Sequence, residues 1–261
     1  MQSGNDLAVT TANTSGDMQA TAERNAALGT LTSAAGKVKV DSTGSMNVTS
    51  VKAANEVDLS GRTGLKAGTL TSTNAFIDVD SLTGSVSINS ATAKTYFSAN
   101  SYGAMTVGTF GVTAGYASLV SGGAMAITTG TSTGNMTIDG GTNVALGNLT
   151  TSGGYIDALA RTGGITFGTL KANSKVKLRA TSAWSNGQAI SGTAMYASNG
   201  SVDLLANSGG ILMTTLSGTK QSTVTTLAGP IKISTVLGFS PTSLLTVTAT
   251  GGTKTVPVAY R

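Results

Sequence analysis

Apolar residues along this chain come in pairs that flank a single outward position, and the pairs recur at a nearly constant interval. One column reads Met18-Ala20, Val38-Val40, Val57-Leu59, Ile77-Val79, Phe97-Ala99, Ala117-Leu119, Met136-Ile138, Ile156-Ala158 and Val176-Leu178. The steps between first members are 20, 19, 20, 20, 20, 19, 20 and 20 residues. A second column follows eight or nine residues later, from Ala26-Leu28 and Met46-Val48 through Val144-Leu146 to Ile165-Phe167. A third carries one main apolar residue per repeat, at Leu31, Val51, Leu70, Ala91, Phe110, Leu149 and Leu170. Alternation with period two predicts strands, so each repeat is three short strands with one face turned inward.

Punctuation between the strands agrees. Gly precedes the second strand at Gly44, Gly64, Gly84, Gly103, Gly123, Gly164 and Gly210, and Asn55, Asn74, Gly115, Gly134 and Gly154 precede the first. These residue types tolerate positive φ. A Gly-Thr or Gly-Asn step recurs between the second and third strands at Gly29, Gly68, Gly108, Gly147 and Gly168. One such coil cannot bury its own Val, Ile, Leu and Met, whereas stacked coils share an apolar column and a parallel hydrogen-bond ladder. The pattern therefore predicts an all-β, right-handed parallel β-helix of about a dozen coils of 19–21 residues, with three short strands per coil. The hand follows from the general bias of parallel crossovers. At about 4.8 Å per coil, a dozen coils would give a rod roughly 55–60 Å long.

The expected organisation is a single domain over 1–261, with regular coils over 16–180, an insertion at about 181–200 and looser coils over 201–261. The step from Val176 to Val202 is 26 residues, which places about six extra residues near Thr181–Gln188, with the only tryptophan, Trp184. Pro257 within Val256–Val258 fits an end or edge strand, because proline cannot donate to a ladder. Neither terminus reads as a polar cap, and Met1–Asp6 does not read as a signal peptide. The chain is therefore expected to be a segment of a longer exported rod.

Composition narrows the chemistry. Charged residues make up 10% of the chain and aromatics 5%, with 35 Gly, which is poor material for helices. There is no Cys and no His, which removes thiol nucleophiles, imidazole bases, disulfides and the usual zinc or haem ligands. The net charge of +5 is a mild bias toward anionic partners.

Units such as Gly44-Ser-Met-Asn-Val-Thr-Ser-Val51 and Gly164-Ile-Thr-Phe-Gly-Thr-Leu170, repeating near 20 residues, resemble filamentous-haemagglutinin-type repeats of large bacterial two-partner-secretion exoproteins. The resemblance covers 16–180 well and 200–240 loosely. It implies export through an outer-membrane transporter partner, location outside the cell or on its surface, and a role in adhesion or biofilm building. It carries over no catalytic residue. No secretion domain or toxin-like module is recognisable, so the segment would be shaft.

Two clusters stand out among the outward residues. Lys175, Lys177 and Arg179 alternate with Val176 and Leu178; with Lys171 and Trp184 nearby, they could grip an acidic exopolysaccharide or lipid headgroups. The simpler alternative is that they keep a parallel sheet soluble. Asp58 and Asp78 fall one coil apart, giving either a weak Ca²⁺ site with Asp80 or a solvated pair. The solvated pair is preferred because no Gly-Gly-x-Gly-x-Asp repeat is present. Asn13, Asn47, Asn135, Asn148 and Asn199 lie in Asn-x-Ser/Thr triplets, which arise by chance in so Ser/Thr-rich a chain.

The functional expectation is a structural or adhesive rod without catalysis, cofactor or metal, whose coils could also associate end to end or laterally. The alternatives are a polysaccharide-binding or polysaccharide-degrading β-helix of the tailspike or lyase kind, and the shaft of a contact-dependent toxin exoprotein. Catalysis needs grouped carboxylates or bases in a cleft, and the eleven acids here are spread along the chain. Nucleic acid is not an expected partner, because no aromatic platform accompanies the charge. Ice binding ranks third. The second strand's outward residues, Asn47, Lys66, Ser87, Thr106, Ala126, Ala145 and Thr166, form no Thr ladder, and Thr30, Thr69, Thr109 and Thr169 read as turn chemistry.

Overall fold

The computed structural model describes residues 1–184, 186–239 and 245–256; Pro257 and Val258 lie outside them. Every regular element among the described residues is a strand, and every strand pairing is parallel. The chain is a right-handed parallel β-helix. Its residues cluster into two compact units, Met1–Ser132 and Thr133–Arg261.

In the first unit the regular coils alternate a strand of five or six residues with one of eight or nine. Met18–Ala22, Val38–Ser42, Val57–Gly61, Ile77–Ser81, Tyr96–Ser101 and Tyr116–Ser121 stack as one sheet. Ala26–Ser33, Ser45–Ala53, Gly64–Ser72, Val86–Ala93, Met105–Val112 and Met125–Ser132 stack as the other. The predicted second and third strands are thus one continuous strand. It bends where two successive residues face outward: in Ala26–Ser33, Gly29 and Thr30 are both outside, whereas Leu28 and Leu31 are buried. That slip of phase produces the third face without breaking the chain's extended path.

The register is the one the periodicity predicts. Val38 pairs with Val57, Val57 with Ile77 and Ile77 with Phe97; in the other sheet, Met46 pairs with Leu65 and Val51 with Leu70. All of these side chains are buried. Less visible in the sequence are buried small and hydroxyl residues at the strand ends of both sheets, Ser33 and Ser72 in one and Ser81 and Ser101 in the other. Ser33 Oγ donates to the carbonyl of Gly16 at 2.6 Å and accepts from the Gly36 amide at 3.0 Å, so a buried hydroxyl ties together the turns of adjacent coils.

The turn glycines serve close approach more than left-handed backbone. Of the seven that precede second strands, only Gly64 has positive φ; among the described residues the other positive-φ glycines are Gly187, Gly209, Gly229 and Gly238. No other residue type among the described residues has positive φ, Asn55 and Asn74 included. A Cβ at Gly84 would instead lie 1.8 Å from the Thr63 carbonyl oxygen, because the turns stack at ladder distance. The Gly-Thr corner alternates. Gly29, Gly68 and Gly108 occupy every second coil, and a Cβ there would lie 2.0, 2.2 and 2.4 Å from the carbonyl oxygens of Thr10, Thr49 and Asn89 in the preceding coils.

The second unit repeats the scheme. Tyr155–Ala160, Lys175–Ala180, Ser201–Ala206, Ser222–Thr226 and Leu245–Ala249 pair in turn, as do Ile165–Ala172, Gln188–Ala197, Gly210–Gly218 and Ile231–Leu237. The insertion is shorter than the 181–200 expected: Gln188–Ala197 is a paired strand, with Ile190 against Ile165 and Met195 against Leu170, and its register against Gly210–Gly218 shifts between Gln188 and Ile190. Its pattern was obscured because Gly192 takes the second inward position, where a Cβ would lie 2.4 Å from the Phe167 ring.

Replacing Leu59, fully buried between coils, by Ala is expected to lower the unfolding free energy by about 2–5 kcal/mol. Gly108→Ala should also destabilise, because the Asn89 carbonyl leaves no room for the added methyl. Urea unfolding followed by circular dichroism measures both; midpoints equal to the parent's would contradict the packing described.

Candidate functional site

Strand Lys175–Ala180 turns Val176, Leu178 and Ala180 inward, which leaves Lys175, Lys177 and Arg179 on the outer face. Parallel pairing sets their neighbours. Lys175 lies between Tyr155 and Ser201, Lys177 between Asp157 and Asp203, and Arg179 between Leu159 and Leu205. The three cations meet two carboxylates. Lys175 forms an ion pair with Asp203; Lys177 Nζ lies 3.8 Å from Asp157 Oδ2, and Arg179 donates to Asp157 Oδ1 at 3.1 Å. Thr223 Oγ1 donates to Asp203 Oδ1 at 2.9 Å. The cationic side chains keep 37–41% of their surface exposed, so each pair contributes little to stability, on the order of 0–1 kcal/mol.

Lys177, Arg179, Asp203, Leu205, Thr223 and Thr225 line a shallow groove beside these pairs. It offers donors, one surplus positive charge and the half-exposed Leu205, a combination that suits an anionic polyhydroxy ligand. The other two predicted members lie elsewhere. Lys171 belongs to the other sheet, where its ammonium sits 5.8 Å from the centre of the Tyr196 ring in a cation–π contact. Trp184 lies in the inserted turn, closed by hydrogen bonds between Trp184 and Gln188 and between Gly187 and Trp184, both 2.9 Å. Its indole covers Gly164, where a Cβ would fall 2.1 Å from Cδ1. The structure brings together Lys175, Lys177 and Arg179 and gives Lys171 and Trp184 separate packing roles.

In the first unit, Asp58 and Asp78 do pair across adjacent strands. Asp58 takes the Lys39 ammonium at 2.6 Å, and that hydrogen bond raises the lysine's pKa. Asp80 accepts from Asn100 at 2.9 Å. Asp78 is half-buried, with one carboxylate oxygen enclosed and unpartnered. Burial pushes its pKa up, Asp80 and Asp58 push the same way, and Ser98 opposes them. Beside this acidic row Phe76, Tyr96 and Tyr116 stack with ring centres 4.5 and 5.4 Å apart and planes within 10° of parallel. In the sequence the aromatic ladder shows only as a bulky ring one residue before each of three inward pairs. Among the described residues no group of three or more acidic side chains is placed to hold a metal ion.

A second feature is only partly visible in the sequence. The outward positions of the third face in the first unit form an unbroken hydroxyl column, Thr11, Thr30, Ser50, Thr69, Ser90, Thr109 and Thr129, aligned coil on coil. Two residues further along lie Asn13, Thr32, Lys52, Thr71, Thr92, Gly111 and Thr131, in the same register. Following Gly-Thr alone reveals every second rung, because Thr10-Thr11, Thr49-Ser50, Asn89-Ser90 and Thr128-Thr129 supply the others.

Asp78 gives a pH prediction. Its folded pKa lies above the ordinary carboxylate value of 3.8. Its favourable contribution is therefore complete below the unfolded pKa and is lost as pH rises through the folded one. Asp78→Asn should raise the urea midpoint at pH 7 and leave it nearly unchanged at pH 3. A lower midpoint at pH 7 would show that the carboxylate stabilises the fold.

Compared with known proteins, the chain matches no protein-family model, no curated protein and no solved structure.

Proposed function

We propose that this chain is a structural and adhesive segment of an exported bacterial surface or matrix protein, and that it carries out no catalysis. The observation that supports the reading best is the stacking itself. Within each unit, coil after coil repeats one register, and nearly every inward position is spent on the apolar column. Such a solenoid resists bending and grows by adding coils. Its outer faces are then free to vary. The likeness of Gly44–Val51 and Gly164–Leu170 to filamentous-haemagglutinin-type repeats supports export through an outer-membrane transporter and display outside the cell.

Adhesion in this reading uses the Lys175–Arg179 face. Three half-buried cations against Asp157 and Asp203 leave one net positive charge, and the groove supplies Thr223 and Thr225 as hydrogen-bonding partners for hydroxyls. Acidic exopolysaccharide fits that chemistry. Long-range attraction would be weak and screened by salt, so binding would be multivalent along a polymer and slight for a single sugar.

Binding of the purified chain to an array of bacterial and host polysaccharides tests this proposal. The parent is expected to bind uronate-containing polymers saturably, with affinity falling as salt rises, and Lys175→Gln/Lys177→Gln/Arg179→Gln to lose the signal while unfolding like the parent. Equal binding by the triple variant would remove this face from the adhesive role. Turnover of any polymer on the array would overturn the non-catalytic reading.

A further inference from the structure

The paired hydroxyl columns of the first unit form a regular two-dimensional array whose geometry is imposed by the backbone. Rows repeat at the parallel ladder spacing of about 4.8 Å, and the two columns, two residues apart on one strand, stand about 6.7 Å apart. In the first column all seven members carry a hydroxyl. In the second, Thr32, Thr71, Thr92 and Thr131 do, and Lys52 is the one charged residue of the array. Thr30, Thr69 and Thr109 are exposed and Ser50, Ser90 and Thr129 half-exposed. Thr109 donates to Ser90 at 3.1 Å, which links successive rungs directly.

We infer that this face binds ice, the hydroxyls of the Thr11–Thr129 and Asn13–Thr131 columns continuing a lattice of ordered water. A hydroxyl is both donor and acceptor, so it can replace a water molecule in either sense. The rows and columns repeat at distances close to those between oxygen rows in hexagonal ice. Buried partners on both sides hold each strand: Leu31, Val51 and Leu70 point inward beneath the array. Little order is therefore lost on binding, and many weak contacts can form in register. The array is nearly uncharged and presents no aromatic ring, because its one aromatic neighbour, Phe110, points inward. That disfavours polyanions, and it leaves a soluble glycan chain without a stacking platform.

Ice shaping and thermal hysteresis of the whole chain provide the test, with Thr69→Lys/Thr109→Lys as the array variant and Ser87→Lys/Thr106→Lys, on the neighbouring outward column, as the control. Both variants are first compared with the parent by urea unfolding. The inference expects faceted crystals and hysteresis with the parent and the control, and loss of both with the array variant. It is overturned by round, freely growing crystals with the parent, by equal hysteresis in all three proteins, or by binding to crystalline polysaccharide with no effect on ice. None of these outcomes bears on the Lys175–Arg179 face, so the two proposals fail separately.

Discussion

The parallel hydrogen-bond ladder constrains everything else in this molecule. Each coil must lie about 4.8 Å from the next along its strands, and the turns are carried at nearly the same distance. Side chains that repeat from coil to coil must therefore tolerate stacking on their own kind. Inward, this favours Val, Leu, Ile and Met in columns; at the turns it favours Gly, since a Cβ at Gly84 would overlap the Thr63 carbonyl. Outward, charge is admitted where a neighbouring coil can answer it, as Lys39 answers Asp58 at 2.6 Å. Asp78 shows what happens otherwise: its half-buried carboxyl is raised above its ordinary pKa first by burial and then by the neighbouring Asp80 and Asp58.

The same constraint explains what could be read from the sequence. Inward pairs such as Val38-Val40 and Val57-Leu59 appear as spaced apolar letters, and their register follows from counting. Gly192 broke the count because its inward position is filled by Phe167 from the coil before. Ser33 and Ser72 were invisible as core because a buried hydroxyl and an exposed one are the same letter. The bend that joins the second and third strands was visible only as a recurring Gly, whose cause lies in the carbonyl opposite.

Sites were less legible than the fold, and for a related reason. Proximity in sequence put Lys171 and Trp184 with Lys175, Lys177 and Arg179, yet strand alternation and the change of sheet carry Lys171 to Tyr196 and Trp184 to Gly164. The true neighbours of Lys177 are Asp157 and Asp203, one coil away on either side. In a solenoid the relevant neighbourhood of a residue is the vertical column through it, spaced by a coil's length. The Phe76–Tyr96–Tyr116 stack and the hydroxyl array become visible only along that direction.

The alternation of Gly29, Gly68 and Gly108 with Thr10, Thr49 and Asn89 has a consequence for how such a chain can lengthen or shorten. Each glycine exists to admit the carbonyl of the coil before it, so odd and even coils are complementary halves of a single packing unit. Excising one coil would set two like corners against each other, with either a surplus glycine or a side chain facing a carbonyl. Removing or duplicating two together preserves the fit. At this corner the heritable module of the first unit is a pair of coils, and a viable change in length is one counted in twos.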